Sequence, residues 1–152
     1  MKLFKRKFIK FIGLTLISTF VQFRYSFSAS KKIINPDLSK EQKNIMFKDG
    51  TERPYSSDLL NEKRKGFYHC ANCGNKLFAS NSKFDSGTGW PSFSKALPGA
   101  FKTKTDYSFG MERVEYHCAN CGAHHGHVFN DGPRESGKRF CNNGLCLIFK
   151  PE

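Results

Sequence analysis

Acidic residues are scarce: 13 Asp and Glu stand against 25 Lys and Arg, for a formal charge of +12. Tryptophan occurs once, and no hydrophobic run reaches the ~20 residues that span a membrane comfortably. With 13 glycines and 6 prolines, a collagen-like or low-complexity fibre is excluded. A hydrophobic share of 38% is too high for a disordered chain. Six cysteines in 152 residues are too few for a disulfide-knotted miniprotein, yet enough that each needs a reason. The length allows one domain with an appendage.

The appendage is residues 1–30. It has no acid and no cysteine, and it carries Lys2, Lys5, Arg6, Lys7, Lys10 and Arg24. A basic start, an apolar run of about 13 residues from Phe11 to Phe23, and small residues through Ser30 form the layout of a secretory signal. Lys5-Arg6-Lys7 is twin-arginine-like with one lysine substituted. Removal of a signal, or retention of an anchor, is left open. Either places the protein outside the cytoplasm, with the periplasm as the expected location. Half of the net charge belongs to this segment, so the basic signal for nucleic acid weakens. No dense cationic stripe follows residue 31, and nucleic acid is not expected as a partner.

Residues 31–38 read as a linker and 39–152 as one compact domain. Ser39, with Gln42 three positions on, marks a short helix start with a capping box. Leu38, Ile45 and Met46 supply its buried side, and Asp49-Gly50 ends it. From Gly66 onward, short aromatic or β-branched runs alternate with turns: 67–69, 76–78, 114–116, 127–129 and 145–149. The fold class is therefore mainly β, with small antiparallel sheets after a short N-terminal helix.

One internal repeat is plain. The heptapeptide Tyr68–Gly74 recurs without a gap as Tyr116–Gly122. Each copy holds two thiols three positions apart, Cys70 with Cys73 and Cys118 with Cys121. Four soft ligands on two turns suit one tetrahedral zinc ion, closed and structural, that staples two distant strand–turn units. Two disulfides, or an iron site on the same four sulfurs, are the chemical alternatives.

Cys141 and Cys146 are left over. Lys138 and Arg139 precede Cys141, and a nearby cation favours thiolate. His124, His125 and His127 stand in a glycine-flanked stretch upstream. A cysteine with histidines elsewhere is a candidate nucleophile, although a free cysteine is often a small buried hydrophobe. Trp90 lies in a glycine- and proline-rich turn between Phe84 and Phe93. It serves either as a pocket wall or as a loop anchor.

Taken together, these stretches resemble the peptide-methionine (R)-S-oxide reductases, methionine sulfoxide reductase B. The resemblance runs from Gly50 to Pro151. It is carried by Gly50–Tyr55, both Cys-x-x-Cys-Gly turns, Lys83–Phe93, His124–Pro133 and Arg139–Gly144. It implies packed antiparallel sheets with zinc away from the active site. It implies Cys141 as nucleophile and Trp90 packing the substrate methyl group. His124 and His127 would bind and protonate the sulfoxide oxygen, and Asp131, Arg139 and Asn143 would orient the set. The implied partners are oxidised proteins carrying methionine-(R)-sulfoxide and a thioredoxin-like reductant or another thiol, with the enzyme acting as a monomer. Two departures stand out. Thr88 occupies the position of a common resolving cysteine, leaving Cys146 as a possible resolver behind direct reduction by an external thiol. His125 replaces a usual apolar residue, as an exposed side chain or as a perturbation of its neighbours. The rival readings are a non-catalytic zinc-binding module and a second-metal hydrolase built on the three histidines.

Overall fold

The computed structural model describes residues 30–152, so the expected signal or anchor lies outside the described residues. The chain opens with helix α1 (Lys40–Lys48). Ser39 Oγ accepts the Gln42 amide at 3.0 Å and Gln42 Oε1 accepts the Ser39 amide at 2.9 Å, the expected capping box. Leu38, Ile45 and Met46 are buried as expected. The helix stops because Asp49 turns into the left-handed region, at φ 56°.

Nine strands follow: β1 (Gly66–Cys70), β2 (Lys76–Ala79), β3 (Lys83–Phe84), β4 (Ser92–Phe93), β5 (Phe101–Asp106), β6 (Arg113–Cys118), β7 (His124–Phe129), β8 (Arg139–Asn142) and β9 (Leu147–Pro151). They form a three-stranded sheet, β2-β1-β9, and a six-stranded sheet, β3-β4-β8-β7-β6-β5, with every pairing antiparallel. The core lies between them. Phe78 of the smaller sheet stacks on Phe93 of the larger at 4.0 Å, and Tyr68 meets Phe93 edge-on at 4.9 Å. Such pairs contribute roughly 0.5–1.5 kcal/mol each beyond the area they bury. β5 forms an exposed edge of the larger sheet and carries Lys102 and Lys104, which discourage pairing with another chain.

Both repeat copies fold alike, down to an irregularity. Tyr68 pairs with Phe78 and His69 with Lys76, so Leu77 is an extra residue; Tyr116 pairs with Gly126 and His117 with His124, so His125 is the extra one. Each is a β-bulge just after the cysteine turn.

Two expectations need correction. Residues 31–38 are not a free linker. The Lys32 amide donates to the Cys121 carbonyl at 3.0 Å, the Ile34 amide to Asn72 Oδ1 at 2.8 Å, and Asn72 Nδ2 to the Lys32 carbonyl at 2.7 Å. The segment is strapped across both cysteine turns. Leu145 and Cys146 are not strand either. Gly144–Cys146 is a single 3-10 turn, because Glu52 captures the Gly144 and Leu145 amides, the latter at 2.9 Å.

Candidate active site

Pairing register builds the site. Lys104 faces Glu115, Glu115 faces His127, His127 faces Cys141, and Cys141 faces Ser92. Directly paired residues share one face of a sheet, with Cβ atoms about 5 Å apart. Five chemically active side chains thus form one row across five strands. A parallel row starts with Asp106 and Arg113, and continues with Phe129 and Arg139. Close approach of β7 and β8 requires Gly126: a Cβ there would lie 1.9 Å from the Cys141 carbonyl oxygen.

The bulge at His125 explains the histidine spacing. In a regular strand, residues 124 and 127 would point to opposite faces. The extra residue restores His124 to the face of His127, and their rings lie 5.6 Å apart. His125 itself turns into the core, fully buried, stacked on Tyr116 and edge-on to Phe101. Of the two placements open for His125, exposure is excluded, and the three histidines do not converge.

Cys141 opens into a cavity of about 140 Å³, walled by Trp90, His127, Phe129 and Asn143 among others. Trp90 is held by its Nε1–H, which donates to the Glu52 carbonyl at 3.2 Å. Asn143 is buried. Its Oδ1 accepts the Glu52 amide at 3.0 Å and its Nδ2 donates to the His125 carbonyl at 3.0 Å. Glu52 therefore ties the tryptophan turn to the segment after Cys141. Sequence reasoning placed Glu52 in a matching stretch but assigned it no role.

Arg139 grips Asp131 with two hydrogen bonds and lies 4.4 Å over the Phe129 ring. Asp131 is exposed and bonds Arg139, not the histidines. Burial pushes the Cys141 thiol up from its ordinary value; the Arg139 charge and hydrogen bonds from Thr88 and Arg139 oppose this without overcoming it. Burial thus outweighs the cation that the sequence sets beside Cys141, and Lys138 is engaged with Asn130 at 2.6 Å.

His124 does not line this cavity. Its Nδ1 lies 3.0 Å from Glu115 Oε1, on the floor of a larger, charged recess of about 610 Å³ that shares His127 and Arg113 with the first. Asp49, Glu115 and His124 have the donor atoms for a cation. Lys104 already supplies one, 3.0 Å from Glu115 and 3.9 Å from Asp49, and holds the Glu115 carboxyl at about 2 together with His124. Cys146 lies in the core with no exposed surface, its Sγ 3.5 Å from the His124 carbonyl oxygen.

The four repeat cysteines converge as expected. None is in a disulfide: the Cys70 and Cys121 sulfurs lie 3.8 Å apart and those of Cys73 and Cys118 3.6 Å apart. Disulfides need about 2.0 Å. Four sulfurs about 2.3 Å from a central ion lie about 3.8 Å from each other. The cluster can hold a metal ion. It shares no lining residue with the Cys141 cavity.

The SelR domain family matches residues 38–151. The chain is 48% identical over 123 residues to the peptide methionine sulfoxide reductase MsrB of Methanosarcina barkeri, covering 80% of this chain and 84% of that one. It is 49% identical over 115 residues to the MsrB of Agrobacterium fabrum, covering 75% and 85%. The chain belongs to the methionine sulfoxide reductase B family. A third relative, the MsrB of Variovorax paradoxus, is 55% identical over 101 residues, covering 66% and 74%. With family membership established, the rival of a non-catalytic zinc-binding module loses its ground.

Proposed function

We propose that Cys141 is the nucleophile through which this protein carries out its family's reaction. That reaction is thiol-dependent reduction of methionine-(R)-sulfoxide in proteins to methionine. One observation carries the assignment: Cys141 shares a small cavity with an indole and with the imidazole that faces it across β7 and β8.

The substrate methyl group packs on Trp90. The resting thiol passes its proton to His127, and the thiolate attacks the sulfoxide sulfur. The proton ends on the oxygen as that oxygen moves to Cys141. Methionine sulfur gains two electrons, and Cys141 becomes a sulfenic acid. One external thiol then forms a mixed disulfide with loss of water, and a second restores Cys141. Arg139 and Thr88 stabilise the thiolate, and Asn143 fixes the strand end that carries it. Fixed methyl and oxygen subsites select one epimer at the sulfur stereocentre.

The four repeat cysteines fit zinc by donor type and spacing. The ion would hold two turns together and take no part in the chemistry. The basic start, apolar run and small residues of the first thirty positions support export, with repair of exported proteins as the role.

The test is to give the protein a racemic methionine-sulfoxide peptide with dithiothreitol and separate the epimers. The wild type consumes the R epimer alone, and Cys141→Ser consumes neither while keeping its zinc. Turnover by the serine variant would exclude Cys141.

A further inference from the structure

His127 is the histidine that shares the cavity with Cys141, and an acid outside every stretch that carries the resemblance holds it in place. His127 Nε2 lies 2.7 Å from Asp106 Oδ2, and the same oxygen accepts Arg113 Nη2 at 2.6 Å. The other oxygen, Oδ1, accepts the Ser108 amide at 2.9 Å and the Ser108 hydroxyl. Four donors on two oxygens hold the Asp106 carboxyl well below the usual carboxylate range. An ionised carboxylate only accepts, so the hydrogen of this contact belongs to His127 Nε2. Nδ1 is then the nitrogen left to take up or release a proton.

We propose that Asp106 is a positioning residue for the reductase reaction: it locks His127 in the Nε2–H tautomer, so that Nδ1 takes the proton from Cys141 and returns it to the sulfoxide oxygen. The inference rests on the function proposed above. Strand pairing supports it independently. Asp106 and Arg113 stand opposite each other on β5 and β6, one step along the sheet from the row that holds Glu115, His127 and Cys141. The hairpin thus brings its acid to the outer nitrogen of the ring while Cys141 approaches from β8.

The charged surroundings of His127 are few. Glu115 of β6 stands opposite it in register. Asp106 of β5 favours its imidazolium. Arg113 of β6 and His124 of its own strand oppose it, and burial opposes it most. Of the two histidines on this face, Asp49, beyond α1, pairs with His124, at 3.9 Å. Cys141 faces His127 from β8, and Arg139 lies beyond the Phe129 ring. Removing Asp106 takes away the one direct partner that supports the charged ring.

The experiment uses Asp106→Asn and Asp106→Glu in the whole protein. With the R-sulfoxide peptide, the Asn variant loses about a hundredfold in kcat with KM changed less than twofold. The acid limb of its pH profile moves to lower pH, and the Glu variant recovers part of the rate. Independently of activity, nitrogen NMR of histidine-labelled wild type shows His127 as the Nε2–H tautomer, and the Asn variant shows a mixture. A wild type with its hydrogen on Nδ1 overturns the proposal, as does an Asn variant with unchanged kcat and profile. Failure of the wild type to reduce the peptide would instead remove the reductase reading, with the tautomer still decided by NMR.

Discussion

Asp131 and Arg139 are joined by two parallel hydrogen bonds, Nε to Oδ1 at 2.9 Å and Nη2 to Oδ2 at 2.8 Å. The fork fixes a guanidinium over the Phe129 ring and beside the Cys141 sulfur. Its charge is the principal influence that lowers a thiol which burial raises. Asp131 therefore acts on the nucleophile through Arg139, at one remove.

Arg139→Met removes that influence. The Cys141 thiol rises further, so less thiolate is present at neutral pH and the alkylation curve moves to higher pH. A hydrogen bond to a charged group contributes about 1.5 kcal/mol, or roughly tenfold in rate. Iodoacetamide labelling of Cys141 at pH 7, followed by mass spectrometry, should slow by about that factor. An unchanged curve would mean that Arg139 serves only to pack Phe129.

Thr88 stands where the resemblance places a resolving cysteine, close enough to Cys141 to help hold its thiol down against burial. A side chain that near needs only a modest shift to reach disulfide length. Thr88→Cys should form a disulfide with Cys141 after one turnover without added thiol. In the wild type the sulfenic acid persists and dimedone traps it at Cys141, since Cys146 has no exposed surface. A Cys141–Cys146 disulfide in the oxidised wild type would require the core to open and would overturn this.

The helix, the sheet class and the metal turns were legible because their signals are local. Ser39 and Gln42 cap within four residues, and each cysteine pair sits in one turn. The site was less legible because register makes it. Asp106, Arg113 and Glu115 belong to it only through pairing of β5, β6 and β7, and nothing near them in the chain reveals that. The alternation of charged residues along 113–115, facing 104–106, was the available clue. The placement of His125 stayed open for the same reason: a bulge decides which way it points, and bulges leave no composition signal. For Cys141, proximity of Arg139 in sequence was visible, while the burial that outweighs it was not.

The four repeat cysteines bring the β1–β2 turn against the β6–β7 turn, and a zinc ion held there would tie the two. Apparent binding energies of structural zinc in peptides are about 10–16 kcal/mol, against a whole-domain stability of about 5–15 kcal/mol. Cys118→Ser should lose its zinc and melt more than about 10 °C below the wild type. Differential scanning calorimetry with zinc analysis checks this. A zinc-free variant that melts with the wild type would make the cluster dispensable.

His125 and Leu77 occupy the same place in the two repeat copies, each nine residues after the repeat tyrosine, each the extra residue of a bulge, each fully buried. Leucine is apolar there. His125 has no well-formed hydrogen bond on either ring nitrogen, and burial lowers it to about 4 from 6.5. The folded state therefore holds the ring neutral while the unfolded chain protonates near 6.5. Between those values the unfolded chain binds more protons, so stability is full above pH 6.5 and falls as pH drops toward 4. The loss over that window is about 3 kcal/mol. His125→Leu, which copies the other repeat, should be at least as stable as the wild type at pH 7. It should be more stable by about 3 kcal/mol at pH 4. Urea unfolding of both proteins from pH 7 to 4 isolates the difference, because the carboxylates titrate alike in each. Parallel stability curves would mean that the buried ring finds a proton acceptor at low pH.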